Sequence, residues 1–340
     1  MTTPPVPGRA GAASRSLHDR HGRRLEYLRL SVTDRCNFRC SYCLPDGCPK
    51  GAGAEPLTVE EIRRLVSAFA AVGVWKVRLT GGEPTLRPDL AEIVRAVAST
   101  PGIERVGLTT NGYRLERLAL ELRDAGLTSL NVSVDSLDPA RFERITGSPH
   151  LRSIVAGVET ALAAGIPSVK VNAVLLKGLE DPELDRFLAW ARELPLTVRF
   201  IELMRTGENA RYFEQHHLSA EELREKLERR GWAVLPKDGR DGPAINFGHP
   251  EFAGKAGLIA PYSAGFCETC NRIRVTSKGD LRLCLFGERD DIPLRPLLQS
   301  ARQQPELAAV IISSVERKPP SHHLKQGSSG TTTSLAVIGG

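Results

Sequence analysis

Seven cysteines stand in two groups, at 36, 40, 43 and 48 and then at 267, 270 and 284. Cys36-x3-Cys40-x2-Cys43 sets three thiols close together, and soft thiolates at that spacing can surround an iron–sulfur cluster. A cubane cluster has four irons, so three cysteines leave one without a protein ligand. By the logic of a catalytic zinc with an open position, that vacancy is where a substrate binds. Zinc shared with a distant histidine is the other chemistry this triad allows. Cys48 follows Pro45-Asp-Gly47 in a separate turn and reads as incidental. Cys267-x2-Cys270-x13-Cys284 also stops at three: it fits half a zinc ribbon, a Cys3His zinc site with His249, or a second incomplete iron–sulfur site. An odd number of clustered thiols argues against a disulfide framework and for a reducing, cytoplasmic setting.

These triads need a scaffold, and from residue 25 the chain repeats a strand-then-helix rhythm. β-type runs lie at 27–33, 74–80, 105–109, 129–135, 169–175 and 197–203. Helix-period segments lie at 58–72, 88–98, 114–125, 151–164, 182–192 and 219–230. The first helix opens on Thr58-Val-Glu-Glu61, a capping box, and stops before Gly73. Six such units predict an α/β protein with a parallel sheet, doubly wound or curled into a barrel. Cys36 then follows the carboxyl end of the first strand, where such sheets bind ligands. Thr80-Gly-Gly-Glu-Pro84 follows the second strand. Its glycines permit close backbone approach, and Glu83 could accept from an ammonium group.

Strands covered by helices should be almost wholly apolar if their other face is packed core. Here they alternate. Leu28, Leu30 and Val32 oppose Arg29, Ser31 and Thr33, and Val77 and Leu79 oppose Lys76, Arg78 and Thr80. Leu130, Val132 and Val134 oppose Asn131, Ser133 and Asp135, and Val169, Val171 and Ala173 oppose Lys170 and Asn172. Arg199 sits between Val198 and Phe200. If the apolar faces meet the helices, Arg29, Lys76, Arg78, Lys170 and Arg199 converge on a wet interior. Buried cations repel one another and lose hydration, so they need anionic company such as a polyphosphate. A one-sided antiparallel sheet would also alternate, but the intervening helices argue against it.

The rest of the composition sets bounds. A net charge of +6 suits anionic partners, yet the cations lie along strands rather than clustered on one helix, which argues against nucleic acid. No apolar run reaches the ~18 residues of a membrane helix. Residues 1–22 read as a disordered tail, and Pro4, Pro5 and Pro7 spoil the amphipathic helix a transit peptide would need. Residues 236–250 read as a linker, 294–314 as helical, and 318–334 as a low-complexity spacer before Leu335-Ala-Val-Ile338 and Gly339-Gly340. The expected organisation is a tail at 1–22, a barrel at 23–235, a cluster-bearing region at 236–317 and a flexible tail at 318–340.

The cysteine spacing, with Tyr42 before the third cysteine and Gly81-Gly-Glu-Pro84 one unit later, resembles the signature of radical S-adenosylmethionine enzymes. From about residue 23 to its end the chain resembles the MoaA family, GTP 3′,8-cyclases of molybdenum cofactor biosynthesis. The likeness rests on segments 30–40, 78–84, 108–112, 131–133, 199–202 and 266–272, the last ending in Asn271-Arg272, and on the terminal Gly-Gly. It implies a partial (β/α)6 TIM-type barrel with a C-terminal extension carrying a second cluster. Two [4Fe-4S] clusters would sit on Cys36, Cys40 and Cys43 and on Cys267, Cys270 and Cys284. Tyr42, Gly82, Ser133 and Met204 would contact S-adenosylmethionine, while Arg29, Arg78, Thr109, Lys170, Arg272 and Arg274 would bind GTP. Gly339 and Gly340 would enter the active site as its catalytic tail. In the implied lyase reaction, a 5′-deoxyadenosyl radical takes the ribose 3′-hydrogen of GTP, and the carbon radical adds to guanine C8. An electron donor and a cyclic pyranopterin monophosphate synthase are the implied partners, with neither nucleic acid nor membrane; a homodimer is left open. Leu44 stands where the family usually has Met, a volume-conserving change.

Overall fold

The computed structural model describes residues 16–48, 55–179, 181–238, 242–287 and 291–335. Strands β1 (Tyr27–Thr33), β2 (Lys76–Gly81), β3 (Arg105–Thr110), β4 (Ser129–Ser133), β5 (Val169–Leu175) and β6 (Thr197–Glu202) lie side by side in chain order, all parallel. The C-terminal region then works both edges. β7 (Ala233–Val234) and β8 (Ile245–Gly248) lead into β9 (Lys255–Ile259), which joins β6 in parallel. β10 (Arg272–Val275) joins β1 in parallel and is followed by antiparallel β11 (Asp280–Arg282) and β12 (Ile292–Pro293). Inner-face residues of β10 and β1 line the same cavity as those of β6 and β9. The sheet is therefore curled, while its ladder stays open between β12 and β7 among the described residues. The fold is the expected partial barrel, with one difference: the cluster-bearing region supplies two wall strands rather than following behind the barrel.

Helices α1 (Val59–Ala71), α2 (Leu90–Ala98), α3 (Leu115–Asp124), α4 (Pro139–Thr146), α5 (Leu151–Ala163) and α6 (Asp181–Glu193) occupy the crossovers, followed by α7 (Ala210–His216), α8 (Ala220–Arg229) and α9 (Gln304–Val315). The apolar strand faces turn outward to them. Leu28, Leu79, Val132, Val171 and Phe200 are fully buried in one core with Ile62, Phe69, Ile93, Leu122 and Phe187, each such side chain stabilising the fold by roughly 1.5–3 kcal/mol. The capping box forms as expected: Glu61 N–H donates to Thr58 Oγ1 at 3.2 Å and Thr58 N–H to Glu61 Oε2 at 2.8 Å. Glu61 also accepts from Arg295 Nε at 2.9 Å, tying α1 to the C-terminal region.

Several boundaries differ from the sequence reading. α4 was not anticipated; Asp138 caps it and Gly147 ends it at φ +67°, in a stretch too short and too polar to show a clear helical period. The expected helix 294–314 is two short 3-10 turns followed by α9, because Pro296 and Pro305 restrict where a regular helix can begin. Residues 16–22, assigned to a disordered tail, are packed, with Leu17 and Asp19 buried. Residues 318–334, read as a spacer, are bonded along their length, as described below.

Candidate active site

The loop after β1 carries Cys36, Cys40 and Cys43, all half-buried. Arg39 N–H donates to Thr146 O and Ser41 N–H to Ile145 O, both at 2.9 Å, pinning the loop to the end of α4. The N–H groups of Cys43 and Leu44 turn back onto Cys40 O. On its other side the loop lies against the end of β2, where Gly82 N–H donates to Thr33 O at 2.9 Å. A Cβ on Gly82 would lie 2.1 Å from Arg35 O, so only glycine fits. Glu83, read from sequence as an ammonium acceptor, is instead a strut between strand ends. Its Oε1 accepts from Thr85 and Thr110, and its Oε2 from Asn111 N–H at 2.6 Å.

Tyr42 Oη donates to Asp135 Oδ2 at 2.8 Å, and Asp135 Oδ1 accepts from Val174 N–H at 2.9 Å. Burial pushes Asp135 up to about 6. It also pushes Cys36 up to about 11 and Cys40 well above the usual thiol range, with Asp135 and the other thiols adding to the latter. The protein alone therefore does not favour thiolates here, and a bound metal would have to. Asn209 Nδ2 donates to Tyr42 O at 3.1 Å and Met204 O at 3.0 Å, joining the cysteine loop to the loop after β6. Ser133 ends β4, paired in register with Asn172. Tyr42, Gly82, Ser133 and Met204 thus all stand at the carboxyl ends of the parallel strands or in the loops that follow.

Beneath them is a cavity of about 710 Å³, whose wall carries, among the described residues, ten lysine and arginine side chains and one carboxylate, Glu104. Arg29, Lys76, Arg78, Lys170 and Arg199 all line it, as their alternation implies, together with Thr109, Arg272 and Arg274. Register explains the density of charge: Arg29 pairs with Arg274 on one side and Arg78 on the other. Gly107, next in that row, leaves room, since a Cβ there would lie 2.9 Å from the Arg78 guanidinium carbon. Arg78 donates to the Tyr27 phenol oxygen at 2.7 Å, and to Leu108 O and Ser129 Oγ at 3.0 Å each. Lys76 Nζ lies 4.6 Å from the Tyr27 ring centroid. Burial would raise the Tyr27 phenol, but Arg78, Arg29 and Lys76 outweigh it and hold the group down at about 7. Burial, then repulsion from Arg199, Arg78 and Lys76, brings Lys170 down to about 7. The buried Thr109 Oγ1, Asn131 Oδ1 and Asn172 Oδ1 have no hydrogen-bond partner among the described residues. A cationic wall with spare polar atoms fits a polyanion bearing a polar head.

Cys267, Cys270 and Cys284 line this same cavity. Arg272 Nη2 lies 3.6 Å from Cys270 Sγ. Burial would raise that thiol, but Arg272 and Lys318 outweigh it and hold it at about 6. Lys318, itself buried, donates to Arg272 O at 3.0 Å and to Leu283 O. His249, the fourth zinc ligand that the sequence allowed, packs instead against Trp232 and Phe252 at centroid distances of 5.5 and 4.8 Å. Among the described residues, no group of three or more His, Cys, Asp or Glu could hold a single metal ion. Both triads remain all-sulfur donor sets, of the kind iron–sulfur clusters take.

The chain then runs back toward the first triad. Thr331 N–H donates to Gly287 O and Thr332 Oγ1 to Leu285 O, while Gly207 N–H and Glu208 N–H donate to Thr332 O and Thr333 O. Ser334 Oγ reaches Cys43 O at 2.8 Å, and Leu335 is buried with Phe286 and Leu324. Gly339 and Gly340 lie outside the described residues. Sequence reasoning missed Tyr27 as a partner of the cations. Its place on the polar face, two residues before Arg29, was the available signal.

A curled parallel sheet with three cysteines after its first strand is the architecture of the radical S-adenosylmethionine enzymes. The family described as "Radical SAM superfamily" matches residues 30–191, and "Molybdenum Cofactor Synthesis C" matches 196–324. A crystal structure of Streptococcus suis SuiB bound to S-adenosylmethionine has a TM-score of 0.56 over 86% of this chain and 68% of that one; at 14% identity this is a likeness of fold. The GTP 3′,8-cyclase of Aeromonas hydrophila is 54% identical over 345 residues, covering 100% of both chains. That of Stenotrophomonas maltophilia is 53% identical over 324 residues, covering 95% of this chain and 99% of that one. The chain belongs to the GTP 3′,8-cyclase family. Its radical S-adenosylmethionine membership implies S-adenosylmethionine and one [4Fe-4S] cluster as cofactors.

Proposed function

We propose that the chain converts GTP to (8S)-3′,8-cyclo-7,8-dihydroguanosine 5′-triphosphate, a lyase reaction that opens molybdenum cofactor synthesis. The observation that carries this reading is the single cavity shared by the second cysteine triad and ten cations. Cys36, Cys40 and Cys43 hold the cluster that, when bound, supplies the electron cleaving S-adenosylmethionine to a 5′-deoxyadenosyl radical. Tyr42, Gly82, Ser133 and Met204 hold that cofactor above the lumen. A triphosphate carries about four negative charges, and Arg29, Lys76, Arg78, Lys170 and Arg274 both bind and orient it. Thr109 turns its spare oxygen toward the nucleoside. Cys267, Cys270 and Cys284, with Arg272 beside them, would hold a second [4Fe-4S] cluster, which would supply a binding point for the guanine. Ser334 brings the described end of the chain to the first triad, and Gly339 and Gly340, outside the described residues, would act as the catalytic tail.

No helix among the described residues is long and apolar enough to cross a membrane. Reduced cysteines suit the cytoplasm, where an electron donor feeds the reaction and a cyclic pyranopterin monophosphate synthase consumes the product. The test is anaerobic reconstitution followed by incubation with S-adenosylmethionine, a reductant and GTP. We expect about eight irons per chain, 5′-deoxyadenosine and a cyclised nucleotide. Two zincs and no 5′-deoxyadenosine would end this reading.

A further inference from the structure

Residues 16–25 form a small hairpin. Leu25 N–H donates to Leu17 O at 2.8 Å, His18 and Arg24 bridge antiparallel, and Gly22 turns the chain at φ +77°. Within it Asp19, 5% exposed, takes Arg23 Nε at 2.6 Å and the N–H groups of His21 and Arg23 at 2.9 and 3.0 Å. Held this way, Arg23 aims its remaining nitrogens at carbonyls of two distant segments. Nη1 donates to Cys267 O at 3.1 Å and Pro320 O at 2.8 Å, and Nη2 to Pro319 O at 2.6 Å. Arg23 is 8% exposed and does not line the lumen. One guanidinium thus joins the backbone of a second-triad cysteine to the root of the segment that ends on Cys43 O.

We infer that Arg23, oriented by Asp19, is a positioning residue that fixes the second cysteine loop and the C-terminal strap, residues 318–335, to each other. This rests on the reading that Cys267, Cys270 and Cys284 hold a cluster. Proline carbonyls at 319 and 320 accept hydrogen bonds while their nitrogens donate none, so this stretch cannot anchor itself by backbone donors. Only arginine offers a planar fork wide enough for a carboxylate and three carbonyls together; lysine has three donors at one point. Lys318 adds a second bolt at Arg272 O and Leu283 O, two residues after Cys270 and one before Cys284 of the same triad. With the root fixed there, the strap meets the first triad at Ser334 in one register.

The test is hydrogen exchange and turnover of the full chain, reconstituted anaerobically, as wild type and as Arg23→Met, Arg23→Lys and Asp19→Asn. Exchange in 318–335 and 265–287 should rise at least tenfold in Arg23→Met and several-fold in the other two, with β1–β6 unchanged. The KM for GTP should rise about tenfold, while the KM for S-adenosylmethionine stays within twofold. Wild-type exchange of the strap in Arg23→Met would overturn the inference. So would equal loosening of β1–β6 in the conservative Asp19→Asn. About four rather than about eight irons in the wild type would instead remove the two-cluster reading, and the exchange comparison would still decide the role of Arg23.

Discussion

The two cysteine triads share a ligand count and differ in almost everything around it. Cys36, Cys40 and Cys43 stand on one loop beside a buried carboxylate, Asp135, and burial pushes the thiols of Cys36 and Cys40 up. Cys267, Cys270 and Cys284 sit among Arg272 and Lys318, which hold Cys270 down at about 6. S-adenosylmethionine brings a sulfonium and an ammonium, so it suits a site that keeps a buried anion, Asp135, near the thiols. GTP brings a polyanion, which suits the site among arginines. The contrast teaches that similar metal-binding patterns are made chemically distinct by the strands facing them, not by the ligands.

The strongest way to break that contrast is to remove one triad at a time. Cys40→Ser should abolish 5′-deoxyadenosine formation, a loss of at least ~10³-fold, because the electron that cleaves S-adenosylmethionine is lost with the cluster this triad would hold. Cys270→Ser should leave 5′-deoxyadenosine forming while cyclised nucleotide falls by a similar factor. Quantifying both products by chromatography separates the cases. Equal loss of both products in Cys270→Ser would mean that the triads do not act separately.

Two glycines sharpen the same contrast at smaller cost. At Gly82 an added Cβ meets a backbone oxygen, Arg35 O, at 2.1 Å, and neither side can yield without moving the cysteine loop. Gly82→Ala should lower S-adenosylmethionine cleavage by roughly 100-fold, equivalent to ~2.7 kcal/mol. At Gly107 the obstacle is the end of the Arg78 side chain at 2.9 Å, which can swing aside. Gly107→Ala should therefore raise the KM for GTP by under about tenfold and leave cofactor cleavage intact. Similar effects from both substitutions on both parameters would show the lumen and the first triad to be one mechanical unit.

The legible part of this molecule was local. Period-two alternation placed Arg29, Lys76, Arg78, Lys170 and Arg199 on one face, since side chains two apart in a strand must share a side. The role of Tyr27 depends on cross-strand register with Arg272 and Lys76, which no local pattern encodes. Arg272 and Arg274 could be read as sharing one face of a strand, but β9, 5 residues long, and the pairing of the 4-residue β10 with β1 were hidden, because their partners lie far away in sequence. The strap looked like a spacer over 318–334 because its composition offers few apolar side chains to bury. It is held largely by hydrogen bonds to backbone carbonyls, at Cys43, Leu285 and Gly287. Arg23 likewise reaches residues 244 and 297 positions away, beyond any sequence window.

The smallest effect tests the electrostatics directly, through two pH slopes of opposite sign. Burial and neighbouring cations bring Lys170 down to about 7, and the cations around Tyr27 hold its phenol down at about 7. A bound triphosphate favours the protonated ammonium and disfavours the phenolate, so it raises both values, and GTP binds with proton uptake. Its affinity must then fall as pH rises above 7, by about fivefold between pH 7.5 and 8.5, a window above the phosphate pKa of roughly 6. Asp135, raised to about 6, works the other way. A cationic cofactor nearby favours the carboxylate and lowers its pKa, so S-adenosylmethionine binds with proton release and weakens as pH falls through 6. Lys170→Arg keeps its charge at every pH and should shallow the GTP slope; Asp135→Asn should flatten the cofactor slope alone. Anaerobic calorimetry in buffers of different ionisation enthalpy reads both proton counts. If both ligands take up protons, the proposed division between a cation site and an anion site is wrong.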